Sequence, residues 1–147
     1  MKNDLGHDVS KYTNGKPNSV KIGWKDVKID YVDPSFFKNN VDCYGQYISR
    51  TGTIEVQKEI KGVDLANTVL HEIMHAIVYN SSLNSEGGAL SDGKDEEQVV
   101  NSMCNQLMMV FRDNTWLLDF IKDGIHSEEN STIFRNNADT TSNNPAK

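Results

Sequence analysis

The chain has 147 residues, a formal net charge of −6 at pH 7 and a sequence pI near 5.1. This length is ordinary for one domain that buries its own core without disulfide bonds. The acidic balance argues against a surface for duplex nucleic acid, since phosphate contacts depend on clustered lysine and arginine. The N-terminal region lacks the apolar run of a signal peptide, and no stretch of about 18 apolar residues occurs. We therefore expect a cytoplasmic protein that binds neither nucleic acid nor membrane.

Both ends of the chain are polar and show neither the period of a helix nor that of a strand. We expect residues 1–19 to form a flexible N-terminal arm and residues 127–147 to form a flexible C-terminal tail. A single folded domain then occupies residues 20–126.

The first half of this domain carries four short segments rich in β-branched and aromatic residues. Val20–Gly23 and Val27–Val32 flank one turn, and Tyr44–Ile48 and Thr53–Gln57 flank a second turn that contains Gly52. Such residues suit a pleated, half-buried surface, and turn residues between two of these segments are typical of a hairpin. The sequence therefore predicts two β-hairpins.

A longer apolar pattern follows, between Asp64 and Asn80. Apolar residues recur there at three- and four-residue spacing, which is the period of an amphipathic helix. Asp64 is placed to cap the N-terminus of this helix, and Asn80 with the two serines that follow is expected to end it. The middle of the helix carries the run His71-Glu72-Ile73-Met74-His75.

This run has the spacing of a zinc site. Side chains four residues apart on a helix share a face, with Cβ atoms about 5 to 6 Å apart, so His71 and His75 can bind one ion. Glu72 points to nearly the same side, where it can accept a proton from a water molecule that zinc makes more acidic. We predict His71 and His75 as Zn²⁺ ligands and Glu72 as the general base. The alternative is a surface helix that carries an acid between two histidines by chance.

A catalytic zinc site takes three protein ligands and keeps one position open. An extended metzincin motif would need glycine and histidine where this chain has Val78 and Ser81, so that class is excluded. A second helix, which opens at the acidic run after Lys94, offers a carboxylate instead. We predict Glu97 as the third ligand, with Glu96 as the substitute.

Other roles are open for the residues around Glu97. Asn101, four residues on, shares its helix face and is expected to accept a hydrogen bond from the far nitrogen of a ligand histidine. Asp95 as N-cap and Gln98 three residues later would form a capping box. His126 competes as third ligand, although its polar surroundings are typical of a solvated loop.

Two further features concern packing. Cys43 and Cys104 lack the close spacing of a zinc knuckle. Cys104 lies among apolar residues at helical spacing, which predicts a buried thiol, whereas no role is assigned to Cys43. Trp116–Ile121 forms a short amphipathic segment that we expect to close the core.

The run His71–His75, followed by Glu97 and Asn101, resembles the gluzincin arrangement of the ImmA/IrrE-like and SprT-like small metallopeptidases, in the short form common among phage and prophage proteins. The resemblance covers about Val20 to Ile121. It implies an α+β, zincin-like fold, with a small sheet of two hairpins packed on the HExxH helix and on a second ligand-bearing helix. In such folds an edge strand receives an extended substrate, and Gly45–Ile48 is the candidate here, with a plain structural strand as the alternative.

The sequence thus predicts a zinc-dependent, phage-encoded metallopeptidase in the host cytoplasm that hydrolyses a protein or peptide substrate. The alternative is a catalytically silent zincin-fold protein that binds or inhibits a host partner, and a purely structural zinc is a third reading. No helix-turn-helix or other nucleic-acid module points to a substrate. The side chains eligible to stabilise developing negative charge are Tyr44, Tyr47, Tyr79, Arg112 and His126.

Overall fold

The computed structural model describes residues 12–13, 15–33 and 43–127, and in these ranges the chain is α+β, as predicted. The strands are β1 Tyr12–Thr13, β2 Lys16–Pro17, β3 Ser19–Ile22, β4 Lys25–Val32, β5 Gly45–Ile48 and β6 Thr53–Gln57; the helices are α1 Gly62–Asn80, α2 Gly93–Asp113 and α3 Leu117–His126. The chain divides into two compact units, Met1–Met109 and Val110–Lys147. Of the described helices, none has the length and apolar character that crossing a bilayer requires.

Regular structure begins before Val20, inside the segment predicted to be a flexible arm. β1 and β2 pair antiparallel as a small hairpin. The Lys16 ammonium donates to the Lys58 carbonyl oxygen (2.7 Å), and the Tyr31 hydroxyl donates to the carbonyl oxygen of Pro17 (2.7 Å). Residues 1–11 of the predicted arm and residues 128–147 of the predicted tail lie outside the described residues.

Both predicted hairpins are present in one four-stranded sheet of order β3-β4-β6-β5. β3 pairs antiparallel with β4, and β5 pairs antiparallel with β6. The two turns contain Gly23 and Gly52, whose φ angles of 59° and 66° lie in the left-handed region that favours glycine. β6 joins the hairpins by pairing parallel with β4, which leaves β5 at the edge of the sheet.

One face of the sheet packs on α1 and forms the larger core. Its buried side chains alternate along the strands with polar ones, as expected for a sheet with one solvated face. They are Ile22, Val27, Ile29, Ile54 and Val56 from the sheet and Val69 and Ala76 from α1. Burial of each large aliphatic side chain contributes about 1.5 to 3 kcal/mol. On the opposite face the Gln46 amide donates to the Glu55 carboxylate across the strands (2.6 Å).

A smaller core joins α1 to α2. Val78 of α1 is buried with Val100 and Cys104 of α2, and Leu70 and Met74 pack against them. Cys104 is 1% exposed, so the prediction of a buried thiol is confirmed. Burial raises the pKa of this thiol, and the charge of a nearby carboxylate adds to the effect.

The predicted helix caps are wrong by a few residues. α1 begins at Gly62 after Lys61, whose side chain makes no cap hydrogen bond, so Asp64 lies in the first turn rather than at the cap. α2 begins at Gly93, and the Asp92 carboxylate accepts the backbone N–H of Lys94 (2.7 Å). The helix is thus capped by Asp92, about one turn before the predicted cap at Asp95. The acidic side chains in the first turn of each helix still interact favourably with the helix dipole.

α3 does not close a core as expected. None of its residues is buried. Trp116, just before the helix, is 61% exposed and Phe120 is 66% exposed. Their rings contact each other edge to face at 6.0 Å.

α1 ends at Asn80, as predicted, in a Schellman motif. The backbone N–H of Leu83 donates to the Val78 carbonyl oxygen (3.1 Å), and that of Ser82 donates to the carbonyl oxygen of Tyr79 (3.0 Å). This motif needs a left-handed residue, and here it is Ser82, with φ of 57°. The left-handed conformation is sterically unfavourable for serine, because of its Cβ atom, but not for glycine.

Ser82→Gly should therefore raise the free energy of unfolding by about 0.5 to 1 kcal/mol. Urea denaturation of the full chain measures this difference. The matched control is Ser81→Gly, because Ser81 has φ of −86° and gains nothing from glycine. If both variants lose stability equally, the left-handed strain at Ser82 is not the cause.

Candidate metal centre

His71 and His75 lie one turn apart on α1 and point to the same place. Their Nε2 atoms are 3.0 Å apart, and their ring centroids are 4.7 Å apart at an interplanar angle of 65°. Both side chains are largely buried. The helical spacing therefore produces the geometry expected for two ligands of one ion.

Glu97 of α2 brings a carboxylate to the same point. Its Oε2 is 3.1 Å from His75 Nε2, and its Oε1 is 3.5 Å from Nε2 of His71. Ligand atoms of a tetrahedral zinc ion, each about 2.0 to 2.2 Å from the metal, lie about 3.3 Å apart. The spacing and chemistry of this His/His/carboxylate group thus fit a zinc ion.

Glu96 occupies a different place, behind His75. Its Oε1 is 2.6 Å from His75 Nδ1, and its Oε2 accepts a hydrogen bond from the Asn84 amide (3.2 Å). A carboxylate without a proton can only accept, so His75 donates from Nδ1 and directs Nε2 toward Glu97. Glu96 therefore orients a candidate ligand and does not substitute for Glu97.

The predicted role of Asn101 is wrong. Its amide donates to Glu97 Oε1 (2.7 Å) and does not bond the far nitrogen of a histidine. That nitrogen is taken by Glu96, which lies closer because Glu96 continues the buried stripe of Val100 and Cys104 at four-residue spacing. The Glu96 side chain is accordingly 13% exposed and that of Glu97 52%. This stripe is the sequence signal that could have separated the two glutamates.

Glu72 is buried beside the three candidate ligands, with 4% of its surface exposed. Its pKa is raised to about 7, mainly by burial; His75 and a hydrogen bond from the Tyr47 backbone N–H oppose this rise, and the nearby Glu97 charge adds to it. Burial is also the main reason that the pKa of His71 is lowered, with Glu97 opposing this effect and His75 adding to it. The site thus favours neutral His71, which is the form that binds metal.

Gly45 allows β5 to pass directly over Glu72, a contact that the sequence reasoning missed. A Cβ atom at this position would lie 2.8 Å from Thr68 Cγ2 and 3.0 Å from Glu72 Cγ. A side chain at this position would therefore require either the strand or the Thr68 and Glu72 side chains to shift. A glycine at the start of a strand is a signal for such close approach.

A cleft of about 640 Å³ lies over these side chains, between β5 on one side and α1 and α2 on the other. Three of the five side chains predicted as eligible to stabilise negative charge line it: Tyr44, Tyr47 and Tyr79. The other two lie in the second compact unit, where Arg112 binds the Asp113 carboxylate (2.7 Å) and His126 ends α3.

The open side of β5 is partly occupied. The Gln57 N–H donates to the Tyr44 carbonyl oxygen (2.8 Å), so by alternation the main-chain groups of Gly45 and Tyr47 turn away from β6. The Gly45 carbonyl oxygen accepts the Cys43 thiol (2.7 Å), and the Tyr47 N–H is the donor to Glu72. The prediction that β5 is an edge strand is confirmed, but a peptide pairing there would have to share these groups.

No model of a protein family, no curated protein and no solved structure matches this chain. The resemblance to gluzincins therefore stays a prediction based on the motif.

The raised pKa of Glu72 predicts a pH-dependent stability of the metal-free protein. Its pKa is about 7 in the fold and 4.5 as a model value, so the fold prefers the protonated form. The stabilisation is present in full below pH 4.5 and is lost as the pH rises through 7. Between pH 5 and 8 wild type should lose roughly 2 to 3 kcal/mol relative to Glu72→Gln, whose amide does not titrate.

Urea denaturation of both proteins, in the presence of a chelator and at the two pH values, measures this difference in the free energy of unfolding. Groups distant from Glu72 titrate alike in both proteins and cancel in the difference. Parallel pH profiles would show that Glu72 is not the buried acid described above.

Proposed function

We propose that this protein is a zinc-dependent peptidase of gluzincin type with a zincin-like fold. His71, His75 and Glu97 hold the ion, and Glu72 acts as general base. The observation that carries this proposal is the convergence of two Nε2 atoms and a carboxylate, 3.0 to 3.5 Å apart, next to a buried carboxyl group.

Zinc held by these side chains supplies a Lewis acid that polarises a carbonyl group and makes a water molecule more acidic. Glu72 takes the proton from the attacking water and returns it to the leaving amine. Its burial beside the three candidate ligands places the carboxyl group where it can make both transfers. The hydrogen bond from the Tyr47 N–H holds the ionised carboxylate in place before it takes the proton.

An open site is favoured over a structural one. Structural zinc sites are closed by four protein ligands, whereas catalytic sites use three and leave room for a reactant. Here three donors meet at the floor of a cleft of about 640 Å³, which is large enough for a peptide segment. We therefore propose that the zinc ion acts on a peptide or protein substrate and does not serve only to stabilise the fold.

The roles of the two glutamates of α2 predict different losses of zinc affinity. Glu97→Gln removes a ligand and should weaken binding more than Glu96→Gln, which only releases His75 and should cost about 10- to 100-fold. Competition with a chromophoric chelator at pH 7 measures both. Glu86→Gln, an exposed change in the loop before α2, is the matched control and should bind like wild type. Unchanged affinity in Glu96→Gln would contradict its role at His75.

Glu72→Gln tests the reaction itself. The variant should keep one zinc per chain and lose peptide cleavage by about 10²- to 10⁴-fold, because the ligands remain and the proton acceptor is removed. The assay is mass spectrometry of a proteome-derived peptide mixture, with Glu86→Gln as control. Cleavage by Glu72→Gln at the wild-type rate would refute the proposed mechanism. Absence of cleavage by zinc-loaded wild type would favour the silent binding protein instead.

A further inference from the structure

The cleft continues beyond Tyr79 into a second cavity of about 550 Å³. The two cavities share Ser49, Tyr79 and Asn84, so the second is an extension of the first. We call this extension the polar end of the cleft, because every side chain that lines it is polar and uncharged. It is lined by Ser49, Tyr79, Asn80, Ser82, Asn84 and Ser85.

The polar end is held in shape by bonds that leave acceptors available. The Asn80 amide donates to the Ile22 carbonyl oxygen (3.4 Å), and the Asn84 amide donates to Glu96 (3.2 Å). Each asparagine thus uses an N–H group, while its amide oxygen can accept up to two hydrogen bonds. The Ser49 and Ser82 hydroxyls can rotate to donate or to accept. The wall can therefore match a donor or an acceptor on a ligand.

The charge near the polar end is one-sided. The described residues that line it include no lysine, arginine or histidine, and one of them, Asn84, contacts the Glu96 carboxylate. An acidic side chain that entered would lose water without gaining a counterion and would approach Glu96. An aliphatic side chain would strip water from the amides and hydroxyls and leave them unpaired. A neutral polar side chain replaces those bonds with bonds of its own.

We propose that the polar end of the cleft is a specificity subsite that takes an uncharged polar side chain of a peptide, such as serine, threonine, asparagine or glutamine, and rejects acidic ones. The proposal rests on the proposed function in that it takes the occupant of the cleft to be a peptide. It adds which peptides bind, and it does not require that they be cut.

Selection from random decapeptides displayed on phage tests the subsite without cleavage. The target is the immobilised, zinc-loaded full chain carrying Glu72→Gln. The retained peptides should be enriched in uncharged polar residues and depleted in aspartate and glutamate, at one position at least, compared with the input library. Retention of no peptides, an unchanged acidic fraction, or enrichment of aliphatic or basic residues instead would overturn the proposal.

Charge variants test whether the selection against acidic residues arises at the polar end. Ser49→Lys, added to Glu72→Gln, places a cation at the polar end and should raise the acidic fraction at the selected position by at least about threefold. Ser85→Lys, from the loop after α1, should act in the same direction and is a second probe if the first variant folds poorly. Ser91→Lys is the control, because it changes the net charge equally at an exposed position that lines neither cavity. Equal effects of all three lysines would overturn the subsite.

The two proposals can fail separately. If wild type selects these peptides but cuts none of them, the subsite stands and the peptidase is refuted. If wild type cuts peptides without regard to acidic residues, the peptidase stands and the subsite is refuted.

Discussion

The contact between Gly45 at the start of β5 and the Thr68–Glu72 turn of α1 is the constraint on which the candidate site depends. Because Gly45 has no Cβ, the strand lies so close to the helix that a Cβ atom would clash with the Thr68 side chain and crowd that of Glu72. The strand then covers the Glu72 carboxyl group and brings the Tyr47 N–H onto it. Burial and this hydrogen bond act on the pKa in opposite directions, and burial dominates. One wall of the cleft and the proton affinity of the carboxyl group thus have a common cause.

The two cores hold the histidines between them. Val69 and Ala76 of α1 face the sheet, Val78 faces α2, and the side chains of His71 and His75 lie on the remaining side. α2 is positioned by Val100 and Cys104, and the same stripe carries Glu96 inward to His75. Glu97, about 100° further round the helix, reaches the Nε2 atoms from the solvent side. Apolar packing therefore decides which carboxylate orients a histidine and which one joins the candidate metal ligands.

This arrangement also explains the polarity of the cleft. The three carboxylates are matched by the histidines, by the Tyr47 N–H and by the amides of Asn84 and Asn101. None of the described lining residues is a lysine or arginine that could bind an anionic ligand group. The side chains of the polar end are hydrogen-bonding groups, and two main-chain groups on the open side of β5 are already engaged. In the proposed subsite, side-chain contacts therefore have a larger part than strand pairing.

The sequence by itself determined the two hairpins, the end of α1 and the His71-Glu72-His75 face, because turn residues and helical spacing act over a few residues. Only the tertiary structure decided the parallel pairing of β4 with β6, the different roles of Glu96 and Glu97, and the exposure of α3. The close approach at Gly45 belongs to the same group. Each of these depends on which surfaces meet across 20 or more residues of chain. Local periodicity shows which face of an element is apolar, but it does not show what that face packs against.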